Sequence, residues 1–213
     1  MNFDVDQHLG AMGRSVSFLE RDGSPTSVVT LARSYATTLE DLWDAVTNSQ
    51  RIPRWFAPVS GELQLGGRYQ VEGNAGGEIT ACEAHSHYAL NWEFGPYVSW
   101  VDVNVADDGS GRARLTLTHT AHLSEDWDTY GPGAAGVGWE MGFLGLALHI
   151  ADPDWPKPDP MEFATSADGK AFITGSSDGW GRAAVAAGSD PETAAAATRQ
   201  TTAFYTGEEV EPM

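Results

Sequence analysis

TTLEDLWDAVTNSQRIPRWFAP, residues 37–58, carries the strongest structural signal in the chain. Thr37 and Glu40 have the spacing of a capping box, in which two side chains satisfy the free N–H groups of a helix start. Leu39, Leu42, Trp43 and Val46 then recur at i, i+3, i+4 and i+7, the apolar face of one helix. Ser49 is placed to cap a second short helix bearing Ile52, Trp55 and Phe56, with Pro53 early enough to be tolerated. A capped helical pair ending in two aromatics reads as a lid on a sheet.

Strands are expected on both sides of it. Residues 14–20 and 26–36 read as two strands around Asp22-Gly23-Ser24-Pro25. Downstream, period-two alternation sets Tyr69 and Val71, then Tyr88, Leu90, Trp92 and Phe94, on one side of their segments. Val101, Val103 and Val105, followed by Leu115, Leu117 and His119, do the same. Gly- and Asp-rich turns at 73–77, 95–96 and 107–111 separate these runs, and such short connections imply antiparallel neighbours. Clean alternation means one wet face and one face that needs cover.

Residues 134–151, AAGVGWEMGFLGLALHIA, supply the cover as an apolar helical run. Gly138, Gly142 and Gly145 form a small-residue line along it. Each costs about 1 kcal/mol against alanine in a helix, so they mark close approach by a neighbour or room left for a ligand, close packing being the simpler reading. The proline-rich segment 153–160 ends the helix. Residues 161–187 and 190–206 read as helical in part, with Asp190-Pro191-Glu192 as a helix start. The expected organisation is a loose arm over 1–13, the sheet-and-helix domain over 14–151, and a linker with helical extension over 152–213, frayed from Gly207. The aromatics Phe163, Phe172, Trp180, Phe204 and Tyr205 imply that the extension docks.

Composition narrows the function. Net charge is −18 with only 12 Lys and Arg, which argues against nucleic acid and against an anionic membrane surface as partners. Cys82 is the only cysteine, so no intrachain disulfide forms, and its surroundings point to a buried structural thiol. The polar N-terminus lacks a signal-peptide core, and no run is expected to reach the ~18 apolar residues of a membrane span. A soluble cytoplasmic protein is the expectation.

Motif by motif, little catalytic chemistry emerges. Gly131-Pro132-Gly133-Ala134-Ala135-Gly136 matches G-x-G-x-x-G, with Asp152 downstream, but antiparallel strands and no following parallel strand deny it a dinucleotide-binding context. His85 with His87, and His119 with His122, find no third ligand, so no metal and no cofactor is expected. There is no G-x-S-x-G elbow. Glu140 could face solvent or interior. His119 shares the inward parity of Leu115 and Leu117, which makes it a satisfied core histidine, a ligand anchor or an acid/base group. Trp55, Phe56, Tyr69, Trp92, Trp139 and Phe143 are plain core, or, with His119, the wall of a cavity. Arg33 and Arg68 are further polar candidates. Trp100, opposite in parity to Val101, would serve a homodimer surface or dock the extension.

Leu42-Trp43-Asp44-Ala45-Val46-Thr47, Ile52-Pro53-Arg54-Trp55-Phe56, the segment Gly61 to Tyr69, and Gly138-Trp139 opening the long helix together resemble the START-like (SRPBCC) helix-grip superfamily, above all its Aha1-related branch. The resemblance covers about residues 26–150. It implies an α+β fold, a curved antiparallel sheet wrapped around a long C-terminal helix with a cavity between them, here with an added helical extension. It further implies one of three roles: binding of a small hydrophobic or aromatic molecule, polyketide cyclase or aromatase chemistry with His119 as acid/base, or co-chaperone interaction.

Overall fold

The computed structural model describes residues 4–210. Asp4 accepts the Gln7 N–H at 2.9 Å and caps a short helix α1 (Val5–Gly10), where the sequence predicts a loose arm. Two strands, β1 (Gly13–Arg21) and β2 (Ser24–Tyr35), lead to α2 (Leu39–Thr47) and a 3-10 turn at Ile52–Arg54. Then come β3 (Val59–Gly61), β4 (Arg68–Val71), β5 (Gly76–Glu83), β6 (His87–Phe94), β7 (Tyr97–Asp107) and β8 (Ala113–His122). The helices α3 (Glu125–Tyr130), α4 (Gly133–Ala151), α5 (Pro160–Thr165), α6 (Ala167–Ala186) and α7 (Pro191–Thr206) complete the chain. The terminal residues 1–3 of the arm and 211–213 of the tail lie outside the described residues.

The strands form one sheet in the order β1-β2-β8-β7-β6-β5-β4-β3. β3 to β8 are successive antiparallel neighbours, as their short turns require. β2 is buried at Thr26–Val29, Leu31–Arg33 and Tyr35, on both sides of its pleat, which is why its parity is unreadable from the sequence.

Two details of the helical pair differ from expectation. Thr38, one residue later than Thr37, caps α2 by accepting the Asp41 N–H at 3.2 Å. The second helix is a single 3-10 turn with no side-chain cap. It is tied to α2 by Arg51, which bonds Asp41 at 2.8 Å and Asp44 at 3.0 Å. Burial pushes the Asp41 carboxyl up, but the Thr37 hydroxyl and the Arg51 guanidinium outweigh it and hold the acid below its ordinary range.

The residues gather into two compact units: a terminal unit of Met1–Leu31, His122–Met141 and Pro158–Met213, and a central unit of Ala32–Ala121 and Gly142–Lys157. The chain of β2 and of α4 runs from one into the other.

Inside the terminal unit, α6 and α7 pack together and α6 packs on β1. Trp180 and Phe172 are fully buried, and the Tyr205 hydroxyl donates to the Ala134 carbonyl at 2.7 Å, so these aromatics of the extension dock. Phe204 stands 5.5 Å from the Tyr130 ring yet stays 65% exposed. A Cβ at Gly136 would overlap the Trp180 indole, so glycine here is a requirement of packing. Glu140 is fully buried and pairs with Arg14, which settles its direction: it points inward, to a partner.

Inside the central unit, the Tyr35 hydroxyl donates to the Phe143 carbonyl at 3.2 Å, joining β2 to α4. A Cβ at Gly145 would overlap the Trp55 carbonyl oxygen, so this glycine too serves close approach. By length and composition α4 would pass as a membrane span, contrary to the sequence expectation. Glu140 and His149 lie buried on this helix. Cys82 lies exposed on β5, not buried.

Candidate functional site

The inner face of the central unit is built from rows that cross β6, β7 and β8. Register places Leu90, Val101 and His119 in one row, Tyr88, Val103 and Leu117 in the next, and Trp92, Ser99 and Ala121 in a third. All have the inward parity expected from the alternation. Their burial, however, is not uniform. Val101, Val103, Leu115 and Leu117 are sealed, whereas Tyr88, Leu90, Trp92 and His119 keep accessible surface.

His119 is the polar centre of this face. Its Nε2 lies 2.8 Å from Ser99 Oγ, and the Ser99 hydroxyl donates onward to the Trp92 carbonyl at 3.2 Å. Which of Nε2 and the Ser99 hydroxyl donates depends on the imidazole tautomer. Burial pushes the imidazole pKa down to about 4. The Trp92 ring stands edge-on to His119 at 6.5 Å between centroids, and Tyr69 lies 6.5 Å beyond Trp92.

The remaining hydroxyls on this side are committed to backbone. Tyr69 donates to the Asn91 carbonyl at 2.7 Å and Tyr88 to the Val46 carbonyl at 3.4 Å. Burial raises both phenols well above their ordinary pKa, so both remain neutral. The wall is aromatic, uncharged and internally hydrogen-bonded. Such a surface can hold an apolar molecule and orient it. Among the described residues no group of three or more His, Cys, Asp or Glu is placed to hold a metal ion.

The other expected site residues divide. Trp55 and Phe56 pair at 5.6 Å and face α4, where a Cβ on Gly142 would stand 3.4 Å from the Phe56 ring. Trp55 Nε1–H donates to the Ala45 carbonyl at 2.9 Å. Phe143 is buried and pairs with Tyr35 at 6.4 Å. Trp139 falls in the part of α4 that belongs to the terminal unit. Tyr69, Trp92 and His119 form one contiguous cluster, and Trp55 pairs with Phe56 and Phe143 with Tyr35.

Arg68 points outward to Glu93 at 2.7 Å, and Arg33 is buried beside the Tyr35 ring at 5.4 Å. His87 bonds Asp102 at 3.0 Å, while His85 sits in a turn at φ 66°. Sequence reasoning misses Ser99 and Tyr35. Ser99 is within its reach, being in phase with Val101, Val103 and Val105; Tyr35 is hidden by the two-sided burial of β2.

Comparison with known proteins places this geometry. The family model described as Activator of Hsp90 ATPase homolog 1-like protein matches residues 36–149. The crystal structure of CalU16 from Micromonospora echinospora is similar at TM-score 0.59 and 25% identity, covering 67% of this chain and 88% of that one. The solution NMR structure of CalU16 from the same organism gives TM-score 0.68 and 23% identity over 83% of this chain and 97% of that one. DynU16, a protein of the dynemicin biosynthetic locus, is similar at TM-score 0.52 and 18% identity, over 59% of this chain and 48% of that one. No curated protein matches the sequence. With the family model spanning more than half of the chain, on an α+β helix-grip fold shared with these structures, the chain belongs to the Activator of Hsp90 ATPase homolog 1-like family.

Proposed function

We propose that the inner face of the central unit binds a small, neutral, apolar or aromatic molecule, with Tyr69, Trp92 and His119 as its wall. One observation carries this reading. On a face whose Val101, Val103, Leu115 and Leu117 are sealed, Tyr88, Leu90, Trp92 and His119 retain accessible surface although turned inward. Unfilled aromatic surface of this kind is what a ligand pocket offers. Neutrality follows from the wall: His119 is uncharged at physiological pH and the Tyr69 and Tyr88 hydroxyls are spent on backbone carbonyls, so a charged ligand would be desolvated without a partner.

The test is a thermal-shift titration with N-phenylnaphthylamine, a neutral aromatic probe. Binding to the folded state alone raises the melting temperature with probe concentration. Trp92→Ala abolishes the shift while the variant still folds. A melting temperature indifferent to the probe contradicts the reading.

The His119–Ser99 pair favours a second reading, an enzyme of the cyclase or aromatase kind. A histidine that is neutral at pH 7 in an apolar surround is available as a base. Mass spectrometry distinguishes the two: a binder returns its co-purified molecule unchanged, whereas an enzyme returns a product that His119→Gln no longer forms.

A further inference from the structure

The terminal unit carries a long sheet edge. Among the described residues β1 has a single strand neighbour, β2, and it is exposed at every position but Arg14 and Val16. The sheet's other edge strand, β3, is only three residues long, too short to template a partner. β1 spans nine residues and has neither lysine nor proline to blunt it. Its Phe18 and Leu19 are 43% and 59% exposed, and the Phe18 ring stands edge-on to Trp127 at 5.7 Å.

The turn after β1 fixes which backbone groups face outward. Asp22 and Gly23 both have positive φ, 52° and 75°, the signature of a two-residue type I′ hairpin turn. Arg21 and Ser24 then form its closing hydrogen-bonded pair, and bonding alternates from there. Odd-numbered residues of β1 face β2, and the Leu19 carbonyl, which accepts the Thr26 hydroxyl at 3.1 Å, lies on that side. Pro25, opposite Glu20, has no N–H to give and needs none. Arg14, Val16, Phe18 and Glu20 therefore direct their N–H and C=O groups away from β2. Among the described residues no backbone hydrogen bond outside the sheet reaches them.

Such a row is completed by an added strand, and β1 is complementary to itself. Antiparallel self-pairing along this edge sets even-numbered residues opposite one another. Val16 against Val16 would bury Glu20 on Met12, and Phe18 against Phe18 would bury it on Val16. Val16 against Phe18 joins two apolar residues and sets Glu20 opposite Arg14, a pairing of opposite charges. Arg14 Nη1 has only long contacts of its own, at 3.4 Å to the Met12 carbonyl and 3.5 Å to that of Leu9.

We propose that β1 is a homodimer interface, pairing antiparallel with β1 of a second copy about Ser17, with Val16 against Phe18 and Arg14 against Glu20. About eight main-chain hydrogen bonds join the two strands. The contact does not depend on a ligand.

The experiment is sedimentation velocity of the full chain across a hundredfold range of concentration. A reversible shift from monomer to dimer is the expected result. Glu20→Arg, at an exposed position, sets like charges opposite each other twice over and should raise the dissociation constant tenfold or more. Phe18→Pro removes an outward N–H, leaves the bonds to β2 and should give a folded monomer. Register is read by oxidation in a Cys82→Ser background. Ser17→Cys should form an intermolecular disulfide, because its Cα stands about 4.5 Å from that of its own copy. Ser15→Cys, opposite Leu19, should not. A chain that stays monomeric at every concentration, a dimer indifferent to Glu20→Arg, or equal cross-linking from residues 15 and 17 overturns the proposal.

Discussion

The two compact units handle their aromatic residues in opposite ways. In the terminal unit, Trp180 and Phe172 are sealed, and the helices meet at glycine: Gly136 admits the Trp180 indole, and a Cβ on Gly138 would stand 2.9 Å from the Tyr205 hydroxyl. In the central unit, Tyr69, Trp92 and His119 stand on alternate strands, β4, β6 and β8, with 6.5 Å between the ring centroids of each successive pair, and Trp92 and His119 stay partly accessible. Helices can close the gap between rings by losing a Cβ. Strands cannot, because pleat and strand spacing fix where their side chains stand. In the central unit Trp92 and His119 therefore keep open surface on the sheet, while in the terminal unit Phe204 stays exposed on α7 beside the sealed Trp180 and Phe172.

The units also differ in how they bury polarity. The terminal unit buries a charge pair, Arg14 with Glu140; the central unit buries a neutral histidine. The largest effect is expected from the charge pair. Glu140→Ala strands the Arg14 guanidinium and should cost about 3–5 kcal/mol in denaturant unfolding. A loss below about 1 kcal/mol, the range of exposed pairs, would mean that the pair is solvated and the contrast is false.

Acid should act through the central unit. His119 ordinarily titrates at 6.5 and is held at about 4 in the folded chain. The unfolded chain takes up the proton first as pH falls, so the stability from this site is complete above pH 6.5 and drains away toward pH 4. Its size is at most about 3.5 kcal/mol, because each tenfold change in proton affinity between the two states is worth about 1.4 kcal/mol. The difference between wild type and His119→Gln across that window isolates it from the many carboxylates. A flat difference would place His119 in a solvated setting.

Next in size is Gly136→Ala. Overpacking against the Trp180 indole, about 1–3 kcal/mol, should exceed the ~1 kcal/mol that alanine gains in a helix, giving net destabilisation by calorimetry. Stabilisation would show that the helices have slack. The smallest effect is Ser99→Ala, which removes the hydrogen-bond partner of His119 Nε2 and should lower stability by about 1 kcal/mol.

Much of this architecture is legible in the chain. The alternation at Tyr88–Trp92, Val101–Val105 and Leu115–His119 marks the strands, their inner face and the inward direction of His119, because a period of two fixes the face. The long helix announces itself by unbroken apolarity. What stays hidden depends on tertiary partners. Thr37 and Thr38 are equivalent as caps until the backbone chooses. Glu140 has no assignable side until Arg14, 126 residues away, is placed against it. That Trp139 falls in the terminal unit while Tyr69, Trp92 and His119 fall in the central one follows from α4 running through both, which no local periodicity records.

Whether the open aromatic surface of the central unit is a binding site is decided by a fluorescence titration of wild type and Trp92→Ala with N-phenylnaphthylamine. One saturable site is expected in the wild type, with affinity lowered tenfold or more by the substitution. Unsaturable uptake, or equal affinity in the two proteins, would contradict it.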